Sequence, residues 1–187
     1  MTDYGRSMAS RTTSVVVTGP SGSGKTTIAL AVARRLGWEF GEGDDFHPAE
    51  NVARMRAGIP LDDESRRPWL ARIAAWIGEH EATGRSCVLT CSALKRIYRD
   101  QLRQGHDSVW FVQLTVAEGL LSDRVAARTG HYMPPSLVRS QVATLEPLDD
   151  DEPGITVSGT EPPDQVVEEV LTALARERGG IVPPAPG

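Results

Sequence analysis

The residues from Gly19 to Thr26 have the types and the spacing that bind phosphate groups. They read GPSGSGKT and fill the pattern G-x-x-x-x-G-K-[ST] without a mismatch. Glycines let the backbone curl so that successive N–H groups point inward at phosphate oxygens, and the following helix adds its positive N-terminal end. We expect Lys25 to reach the β- and γ-phosphates and the hydroxyl of Thr26 to bind one Mg²⁺ ion. The sequence therefore predicts a nucleoside triphosphate site with contacts from Gly19, Pro20, Ser21, Gly22, Ser23, Gly24, Lys25, Thr26 and Thr27.

Asp44 and Asp45 follow the second predicted strand, where a carboxylate has two possible uses. It could accept the proton of a substrate hydroxyl, or it could orient water molecules around Mg²⁺. Aspartate is also common in turns because its side chain bonds the local backbone, so the pair could simply shape the loop. Asp44 is the stronger candidate base of the two. His47, just beyond, could bind a substrate or only close the loop.

One of the two lysines in the chain lies near a tyrosine and an arginine. The chain has 20 basic residues, of which only Lys25 and Lys95 are lysine. Lys95, Tyr98 and Arg99 are spaced three and four apart, which would place them on one helix face. That face could bind an anion, or it could simply be solvated.

A pair of arginines precedes a stretch that breaks regular structure. Arg124 and Arg128 are four residues apart, and His131–Pro135 contains two prolines. Two guanidinium groups beside a movable lid would suit the neutralisation of a phosphoryl group in transfer. An arginine pair at this spacing is also common on helix surfaces.

Other conspicuous residues favour structural interpretations. We interpret Trp69 and Trp76 as core or helix-contact residues rather than platforms for a base, and the acidic run Asp149–Glu152 as a solvated loop. Cys87 and Cys91 lie four apart in one predicted strand, where a disulfide is geometrically poor, so we expect reduced thiols in a cytoplasmic protein.

Strands and helices that alternate along the chain must position these groups. Strands are predicted at Val15–Val17, Trp38–Phe40, Ser86–Thr90, Ser108–Leu114 and Ile155–Val157. A helix follows each, and the longest is expected to begin near Arg66 or Arg67 so that Pro68 falls in its first turn. The last helix is expected to be capped by Asp164. This alternation predicts a parallel sheet covered on both faces, with ligands beyond the carboxyl ends of the strands.

The length and the charge of the chain limit the kinds of protein it can be. The 187 residues suffice for one domain, expected over 14–178, with a disordered N-terminal extension over 1–13 and a flexible tail over 179–187. No apolar run approaches the ~20 residues of a membrane span, and the N-terminal stretch has no signal-peptide core. The formal charge of -5 argues against general nucleic-acid binding, although it allows a small anionic substrate.

Seven motifs in order resemble those of the small bacterial-type gluconate kinases. They are GPSGSGKTT, GDDFHP, N-x-x-R-M-x-x-G-x-P-L, RRPWL, CSALKRIYRDQLR, R-x-x-x-R-x-G-H and SQVATLEPL. The resemblance implies a P-loop fold of the nucleoside-monophosphate-kinase type, with a mobile lid at about 120–147. It also implies transfer from ATP, with Mg²⁺, to D-gluconate. The product, 6-phosphogluconate, feeds the pentose phosphate pathway, and such enzymes are commonly homodimers.

The same resemblance assigns roles to particular residues of this chain. Lys25, Asp44, Arg124 and Arg128 correspond to catalytic positions. Substrate contacts are implied for Asp44, His47, Arg66, Lys95, Arg99, His131 and Gln141. Ser65 departs from the pattern, because an acidic residue commonly precedes the arginine at position 66; this removes a possible ion-pair partner.

Three alternative functions remain open at this stage. Shikimate kinase shares the fold but would carry a Gly-Gly-Gly turn where this chain has Cys91-Ser92-Ala93. A nucleoside-monophosphate kinase would present a different base-binding segment. A non-catalytic ATP sensor would not need Asp44 or the arginine pair. An ATPase motor is disfavoured because the third strand does not end in an aspartate, which favours Thr26 and water as the magnesium ligands.

Overall fold

A sheet of five parallel strands forms the centre of the protein in the computed structural model, which describes residues 12–127 and 135–179. The strands follow the order β2-β3-β1-β4-β5 across the sheet, and each neighbouring pair is parallel. This confirms the predicted α/β class and strand number. In chain order the strands are β1 (Ser14–Thr18), β2 (Glu39–Gly41), β3 (Cys87–Thr90), β4 (Val109–Thr115) and β5 (Gly154–Ser158).

Seven α-helices in the described residues connect and cover these strands. They are α1 (Lys25–Leu36), α2 (Ala49–Arg56), α3 (Asp63–Ala82), α4 (Arg96–Arg103), α5 (Glu118–Ala126), α6 (Pro135–Thr144) and α7 (Pro163–Arg178). None of them is long and apolar enough to cross a lipid bilayer. The centre of the predicted lid, including Arg128 and His131, lies outside the described residues, as do most of the predicted extension and tail.

Two apolar layers enclose the sheet because successive side chains of a strand point to opposite faces. Val15 and Val17 pack with residues of α1 and α7, whereas Val16 packs with residues of α3 and α4. All three valines are fully buried. A strand buried on both faces must be apolar at every position, which explains the continuous valine run in the sequence.

The longest helix begins earlier than the sequence suggested. It starts at Asp63 rather than near Arg66, because the carboxylate of Asp62 accepts a hydrogen bond from the backbone N–H of Ser65 and caps the helix. Pro68 therefore lies in the second turn at an exposed position, where it costs one helical hydrogen bond. The last helix likewise begins at Pro163, and its cap is Pro162 rather than Asp164.

The chain order of the strands reverses beside β1, which opens a crevice at the carboxyl edge of the sheet. The chain runs from β1 to the outer strand β2 and then returns to β3, which lies between them. The loops that follow β1 and β3 diverge at this point. Such a switch point is where open α/β sheets bind ligands.

A buried ion pair anchors the segment that leads from α6 to β5. Both side chains of the pair, Arg99 and Glu152, are fully buried, and Arg99 donates to the Glu152 carboxylate from Nε at 2.6 Å and Nη2 at 2.8 Å. Arg99 also donates to the carbonyls of Leu94, Glu146 and Pro147. The interpretation of the acidic run as a solvated loop is therefore wrong for its last residue, although the other three are exposed.

Replacement of Arg99 by methionine should destabilise the fold strongly. Burial by itself would raise the pKa of Glu152. The hydrogen bonds from Arg99 and from the backbone of Asp149 together lower it by more than burial raises it, so the pKa lies below its usual value. The variant would leave the buried carboxylate without its bidentate partner, with only a 3.8 Å contact to Arg96 and the backbone bond from Asp149 remaining, and breaking a buried pair typically costs about 3–5 kcal/mol. Urea unfolding measures the loss. Arg103→Met is the matched control, since that arginine of the same helix is held weakly, by a 4.0 Å ion pair with Asp100 and a 3.4 Å hydrogen bond to the carbonyl of Asp151. Its replacement should lower the free energy of unfolding by about 1 kcal/mol or less. Equal losses in the two variants would contradict this account.

Candidate active site

The loop between β1 and α1 has the backbone shape that an anion site requires. Gly24 precedes the helix with φ of 96°, a conformation that residues with a Cβ rarely adopt. No side chain of the described residues caps α1, so the N–H groups of its first turn can face a ligand. The ammonium group of Lys25 donates to the carbonyl of Pro20 at 3.0 Å, which holds it across the loop.

A glutamate that the sequence analysis did not select joins this loop to the neighbouring strands. Glu42 follows β2, and its carboxylate accepts hydrogen bonds from the hydroxyls of Thr26, at 2.9 Å, and of Thr90. Thr90 ends β3, a strand that has no terminal aspartate. The carboxylate is instead that of Glu42, which follows the adjacent strand β2. In the sequence, only the position of Glu42 directly after that strand could have indicated it.

The turn after Glu42 is held tightly against β3. A Cβ on Gly43 would lie 2.0 Å from the carbonyl oxygen of Thr90, so only glycine fits there. Its N–H donates to the Thr90 hydroxyl at 3.0 Å, and its carbonyl accepts from the indole Nε1 of Trp69 at 2.7 Å. Asp44 follows directly and remains exposed. Trp69 is thus a fully buried structural residue, as predicted.

His47 lies under the same turn as a buried neutral ring. It stacks on Trp69 with ring centroids 4.3 Å apart and an interplanar angle of 10°. Burial lowers its pKa from 6.5 to about 4; the charge of Asp44 opposes this shift and that of Arg66 adds to it. Within the described residues its Nδ1 has no hydrogen-bond partner. A neutral imidazole with an unused nitrogen suits a hydroxyl group.

A cavity of about 290 Å³, which we call the polar cavity because charged side chains line it, lies between the start of α3, Lys95 and α6, and no residue of the turn from Glu42 to His47 lines it. Asp63, Arg66, Lys95 and Tyr98 line one side of it, and Gln141 of α6 lines another. Asp63 accepts hydrogen bonds from the ammonium of Lys95 at 2.8 and 3.1 Å and from the hydroxyl of Tyr98 at 2.5 Å. The cavity therefore contains a cluster of charged groups within reach of a small polar ligand.

The structure separates residues that the sequence analysis grouped together. Lys95 precedes α4 as its cap residue and faces the polar cavity with Tyr98. Arg99 instead points into the interior, where its donors are bonded to Glu152 and to backbone carbonyls. Arg99 is therefore not a candidate substrate contact. The spacing of Lys95 and Arg99 predicts one helix face, but this prediction is wrong because Lys95 lies outside the helix.

A second cleft, of about 380 Å³, lies on the opposite flank of the phosphate loop. Gly22, Gly24 and Thr27 line it together with Arg124 and Gly159. The guanidinium of Arg124 donates to the carbonyl of Gly159 at 3.0 Å, in the loop after β5. Arg124 thus borders the phosphate loop, as predicted, but on the side away from the polar cavity.

Gln141 connects the phosphate loop to the polar cavity. Its side-chain oxygen accepts a hydrogen bond from the backbone N–H of Ser21 at 2.7 Å, and the same residue lines the cavity. The two cleft regions therefore meet at the phosphate loop, which lies between them. A triphosphate held on the loop would have one flank for its nucleoside and the other for an acceptor.

Comparisons with known proteins agree with this arrangement. No family model matches the chain. The chain is 50% identical over 177 residues to a gluconokinase of Gluconobacter oxydans, covering 95% of this chain and 99% of that protein. The chain belongs to the gluconokinase family. Two solved structures resemble it across 89% of its length: a sugar kinase from Janibacter (50% identity, TM-score 0.84, 96% of that chain) and a gluconokinase from Sinorhizobium meliloti (44%, 0.78, 93%).

Membership of this family confirms the resemblance that the sequence motifs indicated. It also confirms the P-loop kinase fold, which the parallel sheet and the phosphate loop show independently. The family does not by itself assign a role to each residue of the site. Those roles depend on the contacts described above.

The pH dependence of stability should report the buried ring of His47. Its pKa is lower in the folded state than the usual 6.5, so the unfolded chain binds more protons between pH 6.5 and about 4. Folding stability should therefore fall as the pH is lowered through this window. In His47→Gln the slope should be shallower by up to about 1.4 kcal/mol per pH unit. Urea unfolding at a series of pH values measures both slopes, and parallel curves would show that His47 does not titrate as described.

Proposed function

We propose that this protein transfers the γ-phosphoryl group of ATP to the primary hydroxyl of D-gluconate, giving ADP and 6-phospho-D-gluconate. The observation that carries the proposal is a phosphate loop flanked by two clefts in a chain 50% identical to a gluconokinase over 95% of its length. One cleft contains cations and hydrogen-bonding groups suited to a sugar acid. The other is less polar and borders the glycines of the loop.

The nucleotide would lie with its phosphates on the loop from Gly19 to Thr26 and its nucleoside in the cleft beside Thr27. Arg124 lines that cleft, so we assign it to the nucleotide rather than to the transferred group. Lys25 remains the cation best placed for the phosphates, since its ammonium already lies across the loop. Arg128 keeps its predicted role at the transferred group as a proposal from the family resemblance.

Magnesium fits the oxygen groups beside the loop. The hydroxyl of Thr26 and the carboxylate of Glu42 are hard oxygen ligands of the kind that Mg²⁺ prefers, and they lie 2.9 Å apart. Thr26 would bind the ion directly, and Glu42 would bind it or hold its water. The bound ion supplies positive charge against the β- and γ-phosphate oxygens.

Asp44 would take the proton from the primary hydroxyl of gluconate as that oxygen attacks phosphorus. Its position rests on Gly43, whose N–H and carbonyl are both bonded to neighbouring elements, so the carboxylate is held by a rigid turn. Such positioning, together with electrostatic stabilisation, accounts for most of the catalysis in phosphoryl transfer. His47 would contact a hydroxyl of the sugar acid through its unused nitrogen.

The cysteines and the family resemblance bear on where the protein works and how it assembles. Both cysteines are free and buried, which supports a reducing, cytoplasmic environment where ATP is available. The family resemblance supports a homodimer and a place upstream of the pentose phosphate pathway. No observation favours shikimate, a nucleotide acceptor or a purely ATP-sensing role.

Replacement of Asp44 by asparagine should abolish most of the activity. Loss of a positioned general base lowers kcat by roughly 10²–10⁴-fold, whereas the KM for ATP should change little. Coupled ADP release with gluconate, other sugar acids, shikimate and nucleoside monophosphates measures both the wild type and the variant. Asp45→Asn is the control, because that residue is also exposed and lies one position away. Wild-type turnover of shikimate or a nucleotide, with none on gluconate, would refute the proposed function.

Replacement of Glu42 by glutamine should weaken the dependence of nucleotide binding on magnesium. The neutral side chain keeps the bond from Thr26 but removes the negative charge beside the ion, so metal affinity should fall by about 10-fold or more. Calorimetric titration of ATP at several Mg²⁺ concentrations measures this without turnover. Glu39→Gln is the control, since Glu39 lies at the other end of β2 and pairs with Arg85. An unchanged magnesium dependence would exclude Glu42 from the metal site.

A further inference from the structure

Two cations and one carboxylate surround the ring of Tyr98 in the polar cavity. The guanidinium carbon of Arg66 lies 5.5 Å from the ring centroid, and the ammonium nitrogen of Lys95 lies 5.6 Å from it. Asp63 is bonded to both Lys95 and the Tyr98 hydroxyl. The cluster therefore carries one more positive charge than negative, which matches a ligand with a single carboxylate.

The charge of Lys95 is already matched by Asp63. Its ammonium donates to both oxygens of that carboxylate, at 2.8 and 3.1 Å. The hydrogen bonds from Lys95 and Tyr98 lower the pKa of Asp63, and the bond to Asp63 raises the pKa of Lys95. Both groups are therefore charged at neutral pH, and a second carboxylate brought to Lys95 would be repelled by the first.

Arg66 is the cation of the cluster that has no carboxylate within ion-pair distance in the described residues, although its charge acts on Asp63 from farther away. Its Nε donates to the carbonyl of Leu61 at 3.2 Å, and it forms no ion pair with a carboxylate in the described part of the chain. An acidic residue just before Arg66 could have neutralised its charge, but that position holds Ser65. The hydroxyl of Ser65 accepts a hydrogen bond from Arg54. The side chain is half-buried against Tyr98, so a guanidinium edge is held in place at the cavity wall.

We propose that Arg66 binds the carboxylate of the substrate, and that Asp63, held by Lys95 and Tyr98, binds its hydroxyl groups. This assignment rests on the proposed function. A planar guanidinium pairs with a carboxylate through two parallel hydrogen bonds, which an ammonium cannot do. A carboxylate such as Asp63 accepts from hydroxyls through two oxygens, and it disfavours a second anion at the same place. Together the two groups orient the chain of a sugar acid, with its acid end at Arg66.

The rival assignment makes the opposite prediction for one variant. If the substrate carboxylate instead displaced Asp63 from Lys95, then Asp63 would compete with the substrate. Asp63→Asn would then remove the competitor and strengthen gluconate binding. If Asp63 binds hydroxyls, the same variant weakens binding, because the amide is a poorer acceptor and no longer holds Lys95.

The test compares the KM and kcat for gluconate in Arg66→Gln, Arg66→Lys and Asp63→Asn, with the KM for ATP as an internal reference. Arg67→Gln is the matched control, since Arg67 is the exposed neighbour and, within the described residues, its ion pair is with Glu64 at 3.3 Å. Calorimetric titration of gluconate gives the affinities directly, and thermal unfolding checks that each variant is folded. D-Glucitol, which has the same chain without the acid, serves as a competing ligand that does not need a cation.

We expect Arg66→Gln to raise the gluconate KM by about 10- to 100-fold, with little change in the ATP KM or in the affinity for glucitol. Arg66→Lys should recover part of this loss. Asp63→Asn should weaken gluconate and glucitol together. Tighter gluconate binding in Asp63→Asn, or an Arg66→Gln enzyme that binds gluconate like the Arg67 control, would overturn the assignment.

Failure of the proposed function would look different from failure of this assignment. An unaltered protein that does not phosphorylate gluconate refutes the function itself. An unaltered protein that phosphorylates gluconate, combined with an Arg66→Gln variant of normal gluconate KM, refutes only the assignment of Arg66.

Discussion

The close approach of Gly43 to the end of β3 determines how the site is built. No side chain fits between the turn and the Thr90 carbonyl, and both polar groups of Gly43 are bonded, one to Thr90 and one to Trp69. This contact places Glu42 on one side of the turn, where it reaches Thr26, and Asp44 on the other. Glu42 and the candidate base Asp44 therefore share one rigid support. A larger residue at position 43 would displace both.

The parts of the structure that the sequence predicts well are those set by local rules. The run from Val15 to Val17 must be a buried strand because no face of it is polar, and Gly19–Thr26 has few uses other than phosphate binding. The sheet and the loop follow from these patterns. Glu42 was missed because its partner, Thr26, is distant in sequence and lies on another element. The order of the strands in the sheet brings Glu42 and Thr26 together, and that order cannot be deduced from the sequence pattern.

Arg99 shows why spacing alone does not assign a side chain to a site. Its distance from Lys95 fits one helix face, but the helix begins after Lys95 and turns Arg99 toward Glu152. A charged residue that the sequence suggests as a ligand contact can instead form an ion pair with a buried acid elsewhere in the chain. The start of α3 was misplaced for another reason. The capping bond from Ser65 to Asp62 starts the helix at Asp63, so Pro68 lies in its second turn, at an exposed position.

Two arginines of α4 form ion pairs with the acidic run that follows α6. Arg96 and Arg99 bind Asp149, Asp151 and Glu152, so the acidic run secures the segment between α6 and β5. Arg99 also donates to the carbonyls of Leu94 and Glu146, one beside Lys95 and the other just after α6. The guanidinium of Arg99 thus binds both Leu94, which lines the polar cavity, and the segment just after α6. Because Gln141 of α6 also bonds the phosphate loop at Ser21, a shift of that helix must alter the loop and the cavity together.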